Sequence, residues 1–216
     1  IRSFRKLAEI QRLCPDTMLV SIGDRESDIY ELLAEALIDP NGPKLLVRSE
    51  RTRFRKVENE YLWDHMLNLN IAGKVALEIP RSGSRKARTA IVNIRFSKVE
   101  ISPTKNSKKE PPLTTWAVYL KEDVELSKGL GPDIDPIEWM LLTTYPVETF
   151  KDAVKMVEWY SKRWGIEIFH RTLKSGCRIG DRQLGSADSL ETCIAIDMIV
   201  AWRVFYLTML GRETPD

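Results

Sequence analysis

Apolar positions recur at helical spacing across residues 3–13 (SFRKLAEIQRL), where Phe4, Leu7, Ile10 and Leu13 predict one inward stripe. Pro15 and Asp16 break that pattern. TMLVSIG (17–23) is a short apolar run that predicts a buried strand, closed by Gly23 just before Asp24. DRESDIYELLAEAL then predicts a second helix, with Ile29, Leu32, Leu33 and Leu37 facing inward. After the turn Asn41-Gly42-Pro43, KLLVRS predicts another buried strand that ends at Arg48. Helices alternating with short apolar strands predict an α/β architecture with a parallel component.

The pattern changes after about residue 70. VALEIP, TAIVNIRFSKVEI and TTWAVYLKE are β-branched and alternating, and the segments RSGSRKA and SPTKNSKKEPP separate them. Residues 73–135 are therefore expected to form an antiparallel β-rich insertion between a first core part (1–72) and a last one (136–216). The lysine-rich stretch 103–112 is expected to be a mobile loop. IEWMLLTT (137–144) predicts a return to a core strand, and from Thr149 the chain becomes helical. A further helix is expected after Gly185-Ser186-Ala187-Asp188. Its apolar residues, among them Ile194, Ile196, Ile199, Trp202 and Phe205, wrap nearly all round, which predicts burial.

At 216 residues, 43% hydrophobic and 30% charged, the chain can bury one sizeable core. The sequence reads as holding no apolar stretch near 18 residues, which argues against a membrane span. Cys14, Cys177 and Cys193 have no metal-ligand spacing and suit reduced thiols. Net charge is only +2, but its distribution is uneven. Lys44, Arg48, Arg51, Arg53, Arg55 and Lys56 face the single acid Glu50 in one segment. Lys162, Arg163, Arg171, Lys174, Arg178 and Arg182 form a second basic segment around Glu167 and Asp181. Two such segments on a near-neutral chain suit a surface that meets phosphates.

Tyr160, Arg163, Glu167 and Lys174 lie in the proline-free run WYSKRWGIEIFHRTLKSG. At a uniform helical pitch they share an arc of roughly 60°. By itself such a quartet is most simply a solvated helix face. The spacing Tyr-x2-Arg-x3-Glu-x6-Lys, within YSKRWGIEIFH and LKSG, resembles the signature of bacterial insertion-sequence transposases. These are related to the cut-and-paste transposase of the kanamycin-resistance composite transposon. GDRESDIYELL resembles the same family's Gly-Asp-Arg-Glu-x-Asp-Ile block.

That resemblance implies a partial ribonuclease-H-like (retroviral-integrase-like) core and an Asp-Asp-Glu triad. Asp24 would be its second member and Glu167 its last, together holding Mg²⁺, with Mn²⁺ as a substitute. Without it, Asp24 at a strand-to-helix junction is a helix cap, and Asp28, one turn on, is structural. The resemblance assigns Tyr160, Arg163, Lys174 and Arg48 to DNA phosphates, and Arg182 more loosely. Trp139 would stack on an extruded base, a contact that Trp164 beside Tyr160 would extend. A packing role in the core is the alternative for Trp139.

The implied function is nicking, hairpin formation and resolution, and strand transfer on double-stranded DNA, at transposon ends and target. The implied setting is a homodimeric synaptic complex in the bacterial cytoplasm, at the nucleoid. The triad's first aspartate is expected upstream of Ile1, so the 216 residues alone are expected to be inactive. A non-catalytic DNA-binding remnant of a decayed element and a metal-dependent nuclease on the same fold are the alternatives.

Overall fold

The computed structural model describes residues 1–79, 87–103, 110–129, 131 and 134–213. Most of the RSGSRKA segment and most of the lysine-rich loop lie outside the described residues. The chain divides into two compact units, Ile1–Tyr160 and Ser161–Asp216.

In the first unit, α1 (Arg2–Leu13) leads to β1 (Val20–Gly23), α2 (Tyr30–Leu37) and β2 (Lys44–Arg48). A short two-stranded arm, β3 (Lys56–Val57) and β4 (Glu60–Tyr61), and α3 (Leu62–Asn68) come next. The long strands β5 (Gly73–Ile79), β6 (Arg88–Ile101), β7 (Leu113–Glu122) and β8 (Glu138–Thr143) precede α4 (Phe150–Ser161). The strands form one sheet in the order β1-β2-β8-β7-β6-β3-β4, with β5 also paired to β6. β1 and β2 are parallel, and the other described pairs are antiparallel. The β-rich segment is thus continuous with the α/β part: β7 pairs with β8, and β8 with β2.

Strand alternation sorts the core onto two faces. Leu45, Val47, Ala117, Tyr119, Met140 and Leu142 pack with Phe4 of α1, Tyr30 and Leu33 of α2, and Leu62 and Met66 of α3. Their neighbours Leu46, Val118, Leu120, Trp139 and Leu141 point to the other face and are also buried. There α4 presents Ala153, Met156, Val157 and Tyr160, all buried. Gly73 permits this packing, since a Cβ on it would sit 2.6 Å from the Phe150 ring. α4 starts at a capping box: Asp152 N–H donates to Thr149 Oγ1 (3.2 Å) and Thr149 N–H donates to Asp152 Oδ2 (2.9 Å).

Two local expectations fail for physical reasons. In α1, Ile10 and Leu13 are exposed and Gln11 is buried instead. The Gln11 amide donates to the Cys14 and Thr17 carbonyls and accepts from Leu19 N–H, so it satisfies the turn into β1. Asp24 does not open an α-helix: Arg25–Ser27 is a 3₁₀ turn and α2 begins only at Tyr30. α2 buries Tyr30, Leu32, Leu33 and Ala36, while Ile29 and Leu37 are half-buried.

The turn is shaped by Asp28, which is fully buried. Its carboxylate accepts from Arg55 Nε (2.8 Å) and Nη2 (2.6 Å), from Ser49 Oγ (3.0 Å) and from Glu50 N–H (2.9 Å). A second buried pair joins Arg88 of β6 to Glu122 of β7 through Nη1 and Nη2, the two terminal guanidinium nitrogens.

The second unit holds a 3₁₀ segment (Lys162–Trp164), α5 (Gly165–Arg171), a π-helical turn (Thr172–Gly176) and α6 (Ala187–Glu213). A Cβ on Gly165 would lie 2.7 Å from the Phe205 ring, so α5 and α6 cross closely there. α6 is not the buried helix its pattern predicts. Ile196 (57%), Ile199 (62%), Trp202 (54%) and Leu207 (62%) are exposed. Its stretch Ala187–Gly211, which contains an 18-residue window of mean hydropathy 1.7, also overturns the expectation that the chain has no apolar run near 18 residues. Within its own unit, the described residues leave much of this all-round apolar pattern uncovered.

Arg55→Met leaves the Asp28 carboxylate buried without its cation and is expected to cost about 3–5 kcal/mol in urea unfolding. A loss below about 1 kcal/mol would show that the pair does not organise the unit. Glu122 gives a pH signature. Burial pushes its carboxyl up, but Arg88, the Ile137 N–H and the Ser127 hydroxyl outweigh this and hold it below the ordinary carboxylate range. Its contribution is complete above the unfolded value near ~4.3 and disappears as pH falls through the lower folded value. The stability difference between wild type and Glu122→Gln should therefore shrink on acidification below about pH 4, as followed by thermal melts. A gap that widens on acidification would refute this sign.

Candidate nucleic-acid interface

The parallel strands β1 and β2 end at the same rim, and β8 starts there because it runs antiparallel to β2. Asp24 and Arg25 follow β1, Arg48 to Arg51 close and follow β2, and Glu138 and Trp139 open β8. In open α/β sheets the carboxyl ends of parallel strands are where ligands bind.

Asp24 is half-buried and caps the 3₁₀ turn, accepting from Glu26 N–H at 3.1 Å. The cap expected of an aspartate at this junction is therefore present. Gly23 makes the turn possible, because a Cβ there would sit 2.4 Å from Ser27 Cβ.

Three of the sequence-predicted DNA residues meet on the α4 face of the sheet. Arg48 donates to the Glu138 carbonyl at 3.0 Å and makes a side-chain hydrogen bond with Tyr160. The Trp139 and Tyr160 rings pack edge to face with centroids 4.9 Å apart. Both rings are buried, at 5% and 2% exposure, so Tyr160 does not stand on an open helix face. Burial lowers the Arg48 pKa and the nearby Arg25 cation lowers it further, against the opposing pull of Tyr160 and Glu50.

The opposite side of the rim holds groups that sequence reasoning did not single out. Arg51 lies over the Trp63 ring at 4.9 Å and pairs with Glu138 at 3.8 Å. Lys121 approaches Glu138 at 3.9 Å, and Arg25 pairs with Glu50 at 3.7 Å. Tyr119 donates its hydroxyl to Glu138, and burial followed by that hydrogen bond pushes the phenol's pKa up. Arg25, Arg48, Ser49, Glu50, Arg51, Trp63 and Glu138 line one shallow cleft. The signals were present in the sequence: Arg25 follows Asp24, Arg51 belongs to the first basic segment, and Glu138 precedes Trp139.

The remaining predicted residues belong to the second unit. Glu167 is exposed in the first turn of α5, while Trp164 and Arg163 are half-buried in the preceding 3₁₀ segment. Lys174 is exposed within the π turn. The quartet therefore does not follow one uniform helical pitch: 3₁₀ winding comes before Glu167 and π winding comes after it. Arg182 is engaged by Asp197, with Nη2 3.0 Å from each carboxylate oxygen. Asp24 and Glu167 offer the oxygen donors that a hard divalent cation takes. Among the described residues, no group of three or more His, Cys, Asp or Glu side chains gathers as a metal cage.

Gly23→Ala should force Ser27 and the Asp24 turn apart and destabilise the protein by about 1–3 kcal/mol. Adding Ser27→Gly removes the clashing carbon and should recover most of that loss. Urea melts that show no rescue by the second substitution would contradict the close-approach argument.

The family model for the transposase DDE domain matches residues 22–201, which contain both the Asp24 rim and the α5 segment with Glu167. Such domains have a ribonuclease-H-like α/β fold, with which the mixed sheet and its helices agree. With most of its length matched, this chain belongs to the DDE transposase family.

Proposed function

We propose that the chain is part of the catalytic domain of a cut-and-paste DNA transposase that nicks a transposon end, forms and resolves a hairpin, and transfers the strand to target DNA. The observation that carries this is the placement of Asp24 at the carboxyl end of β1, beside Arg25 and the Arg48–Tyr160–Trp139 group. A carboxylate next to clustered guanidinium groups suits metal-assisted phosphoryl transfer, the first as a metal ligand and the second as phosphate contacts.

Asp24 and Glu167 would hold Mg²⁺, or Mn²⁺ in its place. Such an ion acidifies the attacking water or 3′-hydroxyl and neutralises charge in the in-line transition state. Arg48, Arg163 and Lys174 position backbone phosphates, and Arg182 joins them once released from Asp197. Tyr160 has two roles, since its hydroxyl meets Arg48 and its ring covers Trp139. A base can stack on Trp139 only if Tyr160 swings away, whereas Trp164 is already half open. Two copies of the full-length protein would bring two transposon ends together.

Asp24 and Glu167 are the two carboxylates on which this reading rests the metal chemistry, so each is a direct test of it. In a transposition assay with an intact element, Asp24→Asn and Glu167→Gln should each reduce activity to background while the chain keeps its DNA affinity. The full-length protein with Mg²⁺ should yield hairpin ends on its cognate DNA. Simple double-strand cuts without hairpins would favour a nuclease. Full transposition activity retained by either Asp24→Asn or Glu167→Gln would refute the metal-carboxylate account.

A further inference from the structure

The rim contains more cations than phosphate positioning by Arg48 alone uses, and each is parked on a carboxylate at long range. Arg51 to Glu138 is 3.8 Å, Lys121 to Glu138 is 3.9 Å and Arg25 to Glu50 is 3.7 Å. These distances differ from the short multi-bonded contacts of the buried Asp28–Arg55 pair, at 2.6 Å. The cations are open to solvent: the Arg25, Arg51 and Lys121 side chains are 54%, 60% and 54% exposed. Exposed ion pairs at such separations hold their partners weakly and exchange readily. Arg51 is also pre-placed, because its guanidinium carbon lies over the Trp63 ring, 4.9 Å from the centroid.

The carboxylates are better anchored than the cations they hold. Glu138 is fixed by Tyr119, whose ring packs on Trp63 with centroids 5.9 Å apart and lies under Arg95. Glu50 caps the 3₁₀ turn Arg51–Arg53 and accepts from Thr52 N–H. Resident anions with hydrogen-bond partners of their own, beside exposed cations, occupy the place a phosphodiester would take. They keep the cations gathered, and they compete with the ligand.

We propose that Arg51, with Lys121 and Arg25, forms a second phosphodiester subsite on the rim, and that Glu138 is its built-in surrogate anion, displaced from Arg51 when a DNA strand arrives. This rests on the DNA-binding function proposed above and adds the residues and the competition that set its affinity. The cation-poor alternative, in which Glu138 acts only through general repulsion of DNA, predicts a different pattern of coupling.

The test is fluorescence anisotropy of the full chain with a labelled duplex across a salt series. Arg51→Gln should weaken binding several-fold and reduce the log–log salt slope by about 0.9, the value of one lost phosphate contact on duplex DNA. Glu138→Gln keeps an acceptor for Tyr119 and should tighten binding several-fold. In the double variant the gain from Glu138→Gln should largely vanish, because the carboxylate no longer has Arg51 to compete for. A gain of equal size in both backgrounds would overturn the surrogate role, leaving simple repulsion. Unchanged affinity and slope in both single variants, with weakened binding by Lys174→Gln, would overturn the subsite and leave the DNA function standing. No binding by the wild-type chain under any salt condition would overturn both.

Discussion

The buried Asp28–Arg55 pair is the constraint on which the rim depends. One carboxylate with no solvent access collects the Arg55 fork, the Ser49 hydroxyl and the Glu50 N–H, while Arg55 also donates to the Asp28 carbonyl. The connection after β1 and the connection after β2 are thereby fastened to the same oxygen atoms. Parallel pairing aligns the two strands, but it does not determine where their loops go beyond the last ladder bond. Asp28 does that. It fixes where Arg25 and Arg51 start, and so where the cations of the rim can reach. A buried ion pair contributes little net stability against an apolar replacement, so its value here is geometric.

The parts of the fold that were legible in sequence are those set by local pattern. The strand that ends at Gly23, the alternation of β6 and β7, and the helical start near Thr149 are each encoded within a few residues. Asp28 was correctly placed as structural, although its partners, Ser49 and Arg55, lie in a segment with no periodic signal. Gln11 shows the opposite failure. Its burial follows from unsatisfied carbonyls in the next turn, which no hydrophobic pattern records. α6 failed because composition measures a helix's preference for burial, while burial itself requires neighbours.

The candidate site was legible by residue type more than by arrangement. Spacing at a constant pitch put Tyr160 on the same open face as Lys174, yet Tyr160 is buried against Trp139 and bonded to Arg48. The tyrosine thus connects the arginine to the tryptophan, a relation that neither its position in the motif nor its chemistry alone suggests. Glu138 went unnoticed because an acid next to a supposed DNA-stacking residue looks like a solvated charge. Only its contacts with Tyr119, Arg51 and Lys121 give it meaning.

The π turn at Thr172–Gly176 has a consequence for how the chain counts its own length. Its closing bond, from Cys177 N–H to the Thr172 carbonyl at 2.8 Å, spans one residue more than an α-helical bond does. The segment therefore stores a single surplus residue inside continuous hydrogen bonding. Lys174 sits within that surplus, so its direction is set by a residue count as much as by its own identity. Deleting one neighbour would not break the helix but would tighten it, and the ammonium would turn to another side. In this stretch an insertion or deletion acts as a rotation.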